Sequence, residues 1–148
     1  DLNFKDHFYK LKGNHLVFLN GTYLPAQSII LNDICCQTEV DSKQTFKDVF
    51  DALNVAFCKN SLKIEVNEHY RPQPFFIYYF YDSEQGQVFG NPNIQITAHS
   101  NTRIQILEKT ISTGTHPVFI NKKVGVHVKA NAEINITKIQ NYQADSRY

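Results

Sequence analysis

Asn93-Ile94-Gln95-Ile96-Thr97-Ala98-His99-Ser100-Asn101-Thr102-Arg103-Ile104-Gln105-Ile106 is matched, thirty residues on, by Lys123-Val124-Gly125-Val126-His127-Val128-Lys129-Ala130-Asn131-Ala132-Glu133-Ile134-Asn135-Ile136. Ile94, Ile96 and Ala98 fall on Val124, Val126 and Val128, while Asn101, Ile104 and Ile106 fall on Asn131, Ile134 and Ile136. Each run alternates apolar and polar residues, which is the two-residue period of a strand with one buried face. Each is broken by an Asn followed by a small residue. Asn tolerates the left-handed backbone conformation that a tight corner requires. A strand pair this short cannot bury its own apolar face, so recurrence at a fixed interval predicts stacked units sharing one core.

The expected fold is mainly β, a right-handed parallel β-helix (β-solenoid) with a small N-terminal α/β region and a capping helix. A jelly roll or another antiparallel sandwich is the rival; it accounts for the alternation but not for the constant interval. Recurring Asn at the corner could also form a side-chain ladder between successive coils.

Working outward, Leu62, Ile64 and Val66 alternate with Lys63, Glu65 and Asn67 and predict a strand. Phe75 to Tyr81 is an unbroken aromatic and aliphatic run, so both of its faces should be covered. Asp82 to Asn93 reads as a loop, Thr110 to Pro117 as a turn and Val118 to Ile120 as a further strand. Phe46, Val49, Phe50, Leu53, Ala56 and Phe57 recur at helical spacing, with Thr45 as N-cap and Lys59-Asn60 at the C-terminus. The apolar stripe of this helix is expected to close the open end of the stack, because solenoids need caps. Near the start, His15 to Leu19 and Thr22 to Leu24 flank Asn20-Gly21, a strong hairpin signal. Ser28 to Ile34 is a strand or a buried turn, and Glu39 to Gln44 a linker. The division is therefore 1–44, a hairpin and linker region, and 45–148, helix plus first coils.

The 148 residues carry a formal net charge of +1, with 20% charged and 42% hydrophobic residues. Neither a strong charge nor a Lys/Arg block is present, which argues against nucleic acid or a membrane surface as partner. No apolar run approaches a membrane span and no signal-peptide pattern opens the chain, so the expected location is cytoplasmic. Cys35, Cys36 and Cys58 lack metal-site or disulfide spacing and read as free thiols. The chain has no Met and begins at Asp1, and is expected to be part of a longer protein.

No Walker loop, nucleophile elbow, HExxH or GxGxxG is present. His7, His15, His69, His99, His116 and His127 are scattered. His99 and His127 fall out of phase with the core positions and should point outward; His116 lies in a turn. Glu108 and Glu133 could flank a coil, but the repeat positions Gln95, Arg103, Gln105, Glu133 and Asn135 are too mixed for the charged cluster that polysaccharide cleavage needs. No catalytic, cofactor-binding or metal-ligating residue is assigned.

Val49-Phe50-Asp51-Ala52-Leu53-Asn54-Val55-Ala56-Phe57 followed by Leu62-Lys63-Ile64-Glu65-Val66 resembles the helix and first strand of SufD. Asn91-Pro92, Ile104 to Lys109, Phe119-Ile120-Asn121 and Asn131-Ala132 to Lys138-Ile139-Gln140 are similar to that family's β-helix coils, and Leu16 to Gly21 with Ser28 to its N-terminal hairpin. The motifs are short, and their collinear order over almost the whole chain carries the resemblance. Asn60-Ser61 and Val66-Asn67 depart from the pattern, which has Gly and Val-Pro there. The paralogue SufB shares the β-helix. The resemblance implies a non-enzymatic scaffold subunit of iron–sulfur cluster assembly, with a SufC-like ABC ATPase and a SufB-like paralogue as partners. It places the cluster in the full complex, with no cofactor in this chain. The family's later coils and C-terminal helical region have no counterpart here. The final coil, around Ile134 to Ile139, is therefore expected to present an open edge and to self-associate. A β-helix protein that binds or cleaves carbohydrate is the alternative.

Overall fold

The computed structural model describes residues 3–31, 34–39, 47–69 and 72–141 of the chain. In chain order the elements are β1 (Asn14–Leu19), β2 (Thr22–Tyr23), β3 (Ile34–Glu39), α1 (Val49–Phe57), β4 (Ser61–Val66), β5 (Phe75–Asp82), β6 (Val88–Gly90), β7 (Asn93–Ala98), β8 (Arg103–Thr113), β9 (Val118–Ile120), β10 (Lys123–Val128) and β11 (Glu133–Asn141). Short 3-10 turns stand at Phe4–His7 and Pro25–Gln27. The protein is mainly β.

From β4 onward the chain visits three sheets in fixed rotation. Strands β4, β7 and β10 share one sheet, β5, β8 and β11 a second, and β6 and β9 a third. All of these neighbours pair in parallel. The register reproduces the repeat: Ile94 pairs with Val124, Ile96 with Val126, Ile104 with Ile134 and Ile106 with Ile136. At the corners, Asn101 and Asn131 both hold left-handed φ angles of 62° and 57°. Asn131 Nδ2 donates to Asn101 Oδ1 at 3.4 Å, the ladder that a recurring corner Asn allows. Strand β6 was not foreseen: three residues inside a Gly/Asn/Pro-containing segment are too few to show a period, and β6 exists by pairing with β9.

Alternation divides the core in two. Leu16, Phe18, Leu62, Ile64, Val66, Phe75, Ile77, Tyr79, Tyr81, Ile94, Ile96, Ile104 and Ile106 line the interior between the sheets. Phe76, Tyr78 and Phe80, on the other side of β5, form a second cluster with Val17 and Ile111, covered by Phe4, Phe8, Tyr9, Leu19 and Leu24. That double covering is why the whole aromatic run can be buried.

The N-terminal residues extend two of these sheets on their other side. Strand β1 lies parallel to β5, β2 returns antiparallel through Asn20-Gly21, and β3 lies antiparallel on β4. Of Ser28 to Ile34, expected as a strand or a buried turn, Ile29 makes a single bridge to His15, Ile29 and Ile30 are exposed, residues 32–33 lie outside the described residues, and Ile34 opens β3.

Helix α1 differs from its expectation. Thr45 and Phe46 lie outside the described residues; the N-cap is Asp48, whose side chain accepts from the Asp51 amide, and the C-cap is Cys58 rather than Lys59-Asn60. Val49, Phe50 and Phe57 are exposed, and the helix residue that is buried is Asn54. Asn54 Nδ2 donates to Pro92 O (3.2 Å) and Asn121 O (2.6 Å), Asn121 Nδ2 returns a bond to Phe50 O (2.8 Å), and Asp51 pairs with Lys123 at 2.6 Å. Pro92 and Asn121 lie just before β7 and β10, and Lys123 opens β10. The helix is therefore latched beside two neighbouring strands, β7 and β10, and it is β1 and β3 that cover the sheet edges.

Candidate functional site

Strands β10 and β11 stand at the ends of their sheets. The consequence shows position by position. Ile96, Ala98 and Ile106 are buried, with exposures of 2%, 0% and 4%, because a strand lies on either side of each. Their register partners Val126, Val128 and Ile136 are 45%, 46% and 37% exposed. Among the described residues this rim thus combines an unpaired strand edge with apolar side chains, the combination that accepts another strand.

Beneath the rim lies a polar cluster. Glu108 continues the inward parity of Ile104 and Ile106 along β8 and is 2% exposed. Its carboxylate accepts from Lys122 Nζ at 2.6 Å and from the Tyr79 hydroxyl at 3.3 Å. Lys122 also stands 4.4 Å above the Tyr79 ring, and Lys138, the register partner of Glu108 on β11, has its ammonium 4.0 Å from the same carboxylate. Burial, which outweighs the neighbouring carboxylate, holds Lys122 below the usual lysine range. Burial first, and the Glu108 charge second, push Tyr79 well above the usual phenol range. Two ammonium groups thus converge on one carboxylate at the rim. Lys138 retains donors for an acceptor presented by whatever strand lies beside β11.

A groove of about 450 Å³ on the β5–β8–β11 sheet is lined by Leu11, Pro74, Phe76, Leu107, Gln105 and Asn135, among others. On the flank, Phe57 meets Phe89 edge-on at 5.1 Å and Phe89 meets Phe119 at 5.2 Å, a row of partly exposed rings beside α1.

The histidines are not brought together. His127 is exposed, and His99 is half-buried between Glu65 (3.9 Å) and Lys129 (3.3 Å), both on the outer side of their sheet as their phase requires. His116 Nδ1 is 2.7 Å from Ser83 O and anchors a turn. Cys58 is half-buried and its thiol is pushed up by burial; Cys36 packs against the interior core. Among the described residues no group of three or more His, Cys, Asp or Glu is arranged to hold a metal ion. No described helix is long and apolar enough to cross a membrane.

The importance of Glu108 was legible in one respect only, the alternation that carries inward parity past Ile106. Its partner Lys122 lies beyond a turn and a further strand, and sequence spacing does not connect them. No protein-family model matches the chain, and no curated protein matches it.

Proposed function

We propose that this chain is a non-enzymatic scaffold subunit of a SUF-type iron–sulfur cluster assembly complex, resembling SufD and working in the cytoplasm with SufB- and SufC-like partners. On this reading the three sheets are the faces of a right-handed parallel β-helix. Parallel crossovers take the right-handed sense in nearly all proteins, which favours that hand. Support comes from the collinear motifs and from the thirty-residue return, which gives the rigid, one-dimensional stack that a scaffold needs.

The observation that carries the reading is the parallel thirty-residue register of β10 on β7 and of β11 on β8, a stack able to hold partner surfaces in fixed order. The iron–sulfur cluster is cargo of the assembled complex, and ATP hydrolysis belongs to the SufC-like subunit. The rim also favours self-association of the chain.

The test is co-purification under anaerobic conditions of the full-length protein with SufB- and SufC-like proteins from the same genome, followed by reconstitution with iron and sulfide. A stable three-component complex that assembles a cluster is expected. Absence of that complex, together with glycan binding in the groove beside Gln105 and Asn135, would replace this reading with the carbohydrate one.

A further inference from the structure

Residues 3–13 belong to no strand of any sheet, yet they cover the outer aromatic face of β5. Their hold is by side chains. Phe4 meets Phe80 edge-on at 5.0 Å, Phe8 stacks on Tyr78 at 4.6 Å, and Tyr9 lies 5.6 Å from Phe76. Three hydrogen bonds add to this: the Tyr9 amide donates to the Tyr78 hydroxyl (3.0 Å), Lys109 Nζ donates to His7 O (3.3 Å), and His15 Nε2 lies 3.2 Å from Leu11 O. A segment fixed by a few rings and no ladder sits at the low end of local stability.

His15 is the pivot of this arrangement. It is 5% exposed, stacked against Phe8 (5.0 Å), Phe76 (4.8 Å) and Tyr78 (5.8 Å). Its partners assign its protons. Leu11 O only accepts, so Nε2 carries hydrogen. In the neutral ring, with Nε2–H given to Leu11 O, Nδ1 is the acceptor that faces the Tyr78 hydroxyl, 3.1 Å away, whose oxygen also accepts from the Tyr9 amide. A proton added at Nδ1 would force the Tyr78 hydroxyl to turn its hydrogen away and would bury a cation among three rings.

The ionisable groups facing His15 do not relieve this. On β5 there is Tyr78, whose burial pushes it up to about 12. On the N-terminal segment there is Tyr9, and beyond the Tyr9 ring stands the Lys109 ammonium of β8, 5.2 Å from its centroid and of the same sign as a protonated imidazole. The ring of His7 lies against Phe80.

We infer that residues 3–13 form a strap locked by neutral His15, and that protonation of His15 releases the strap and uncovers the aromatic outer face of β5. The direction follows from linkage. Desolvation by burial holds the closed-state pKa of His15 below its ordinary value, so the open state takes the proton first. The strap is closed above about pH 6.5 and opens progressively as pH falls below that value.

Hydrogen–deuterium exchange of the whole chain at about pH 7.5 and about pH 5.0, corrected for intrinsic rates, tests this. Protection of residues 3–13 should fall at the lower pH, by up to about thirtyfold for an open-state value near 6.5, while that of β7 and β8 is kept. The variant His15→Gln cannot titrate and should show strap protection independent of pH. His7→Gln should retain the wild-type response. If wild-type strap protection does not change with pH, or if His15→Gln still loses it on acidification, the inference is overturned. Should His15→Gln not fold, the imidazole proton resonances of the wild type decide. His15 must titrate below the ordinary histidine value of about 6.5 and together with strap release; titration with the strap still closed overturns the inference.

Discussion

At Glu108 a single alternation rule puts a carboxylate where Ile104 and Ile106 put methyl groups, and the fold accepts it only because Lys122 and Tyr79 are waiting. Removing one member of a buried pair leaves the other charge without compensation, which costs more than the pair itself contributes. Glu108→Gln should therefore destabilise the protein by about 3–5 kcal/mol, read as a lower urea midpoint at unchanged slope. Replacing both partners together, Glu108→Leu with Lys122→Met, should recover most of that loss. A single variant within about 1 kcal/mol of wild type would show that water reaches the pair. Other residues were readable directly. Asn101 and Asn131 hold the left-handed corner because a short polar side chain tolerates it, and Asn20-Gly21 turns the hairpin for the same reason. His15 was not readable: its flanking residues Asn14 and Leu16 name no partner for it, and the rings that enclose it come from β5 and from the strap.

Helix α1 shows where pattern and physics part at the scale of an element. Its length and amphipathic spacing predicted a helix correctly, but not the face it would bury. The interior of the stack is already filled by alternating strand residues, so the helix docks through polar groups on the turns before β7 and β10. Asn54 donates to Asn121 O and to Pro92 O, which also accepts from the Lys123 amide, whereas Phe50 gives its ring to solvent. Asn54→Ala should cost about 1–3 kcal/mol and raise hydrogen exchange across Val49–Phe57. Val49→Ala should stay within about 0.5 kcal/mol of wild type, since no buried feature is lost. The reverse ranking, by denaturant unfolding of both variants, would restore the apolar stripe as the docking face. Strand β6 is the complementary case: Val88–Gly90 has no period of its own and is defined by its neighbour β9.

The molecule as a whole is set by the thirty-residue return, which fixes sheet membership, parallel register and the two-sided core around β5. What the repeat leaves open is its termination. On one side β1 and β3 provide it; on the other, among the described residues, β10 and β11 display Val126, Val128 and Ile136. If that rim is an interaction surface, a charge placed on it should abolish pairing without harming the fold, because Ile136 is only partly buried and a lysine side chain can reach solvent from it. The 148-residue chain should sediment as an oligomer at micromolar concentration, and Ile136→Lys should sediment as a monomer with wild-type circular dichroism. An exposed flank position gives the control: Phe119→Lys, on the row of rings beside α1, should leave the oligomer intact. A wild-type monomer, or an oligomer that Phe119→Lys rather than Ile136→Lys disperses, would move the interaction surface from the rim to the flank.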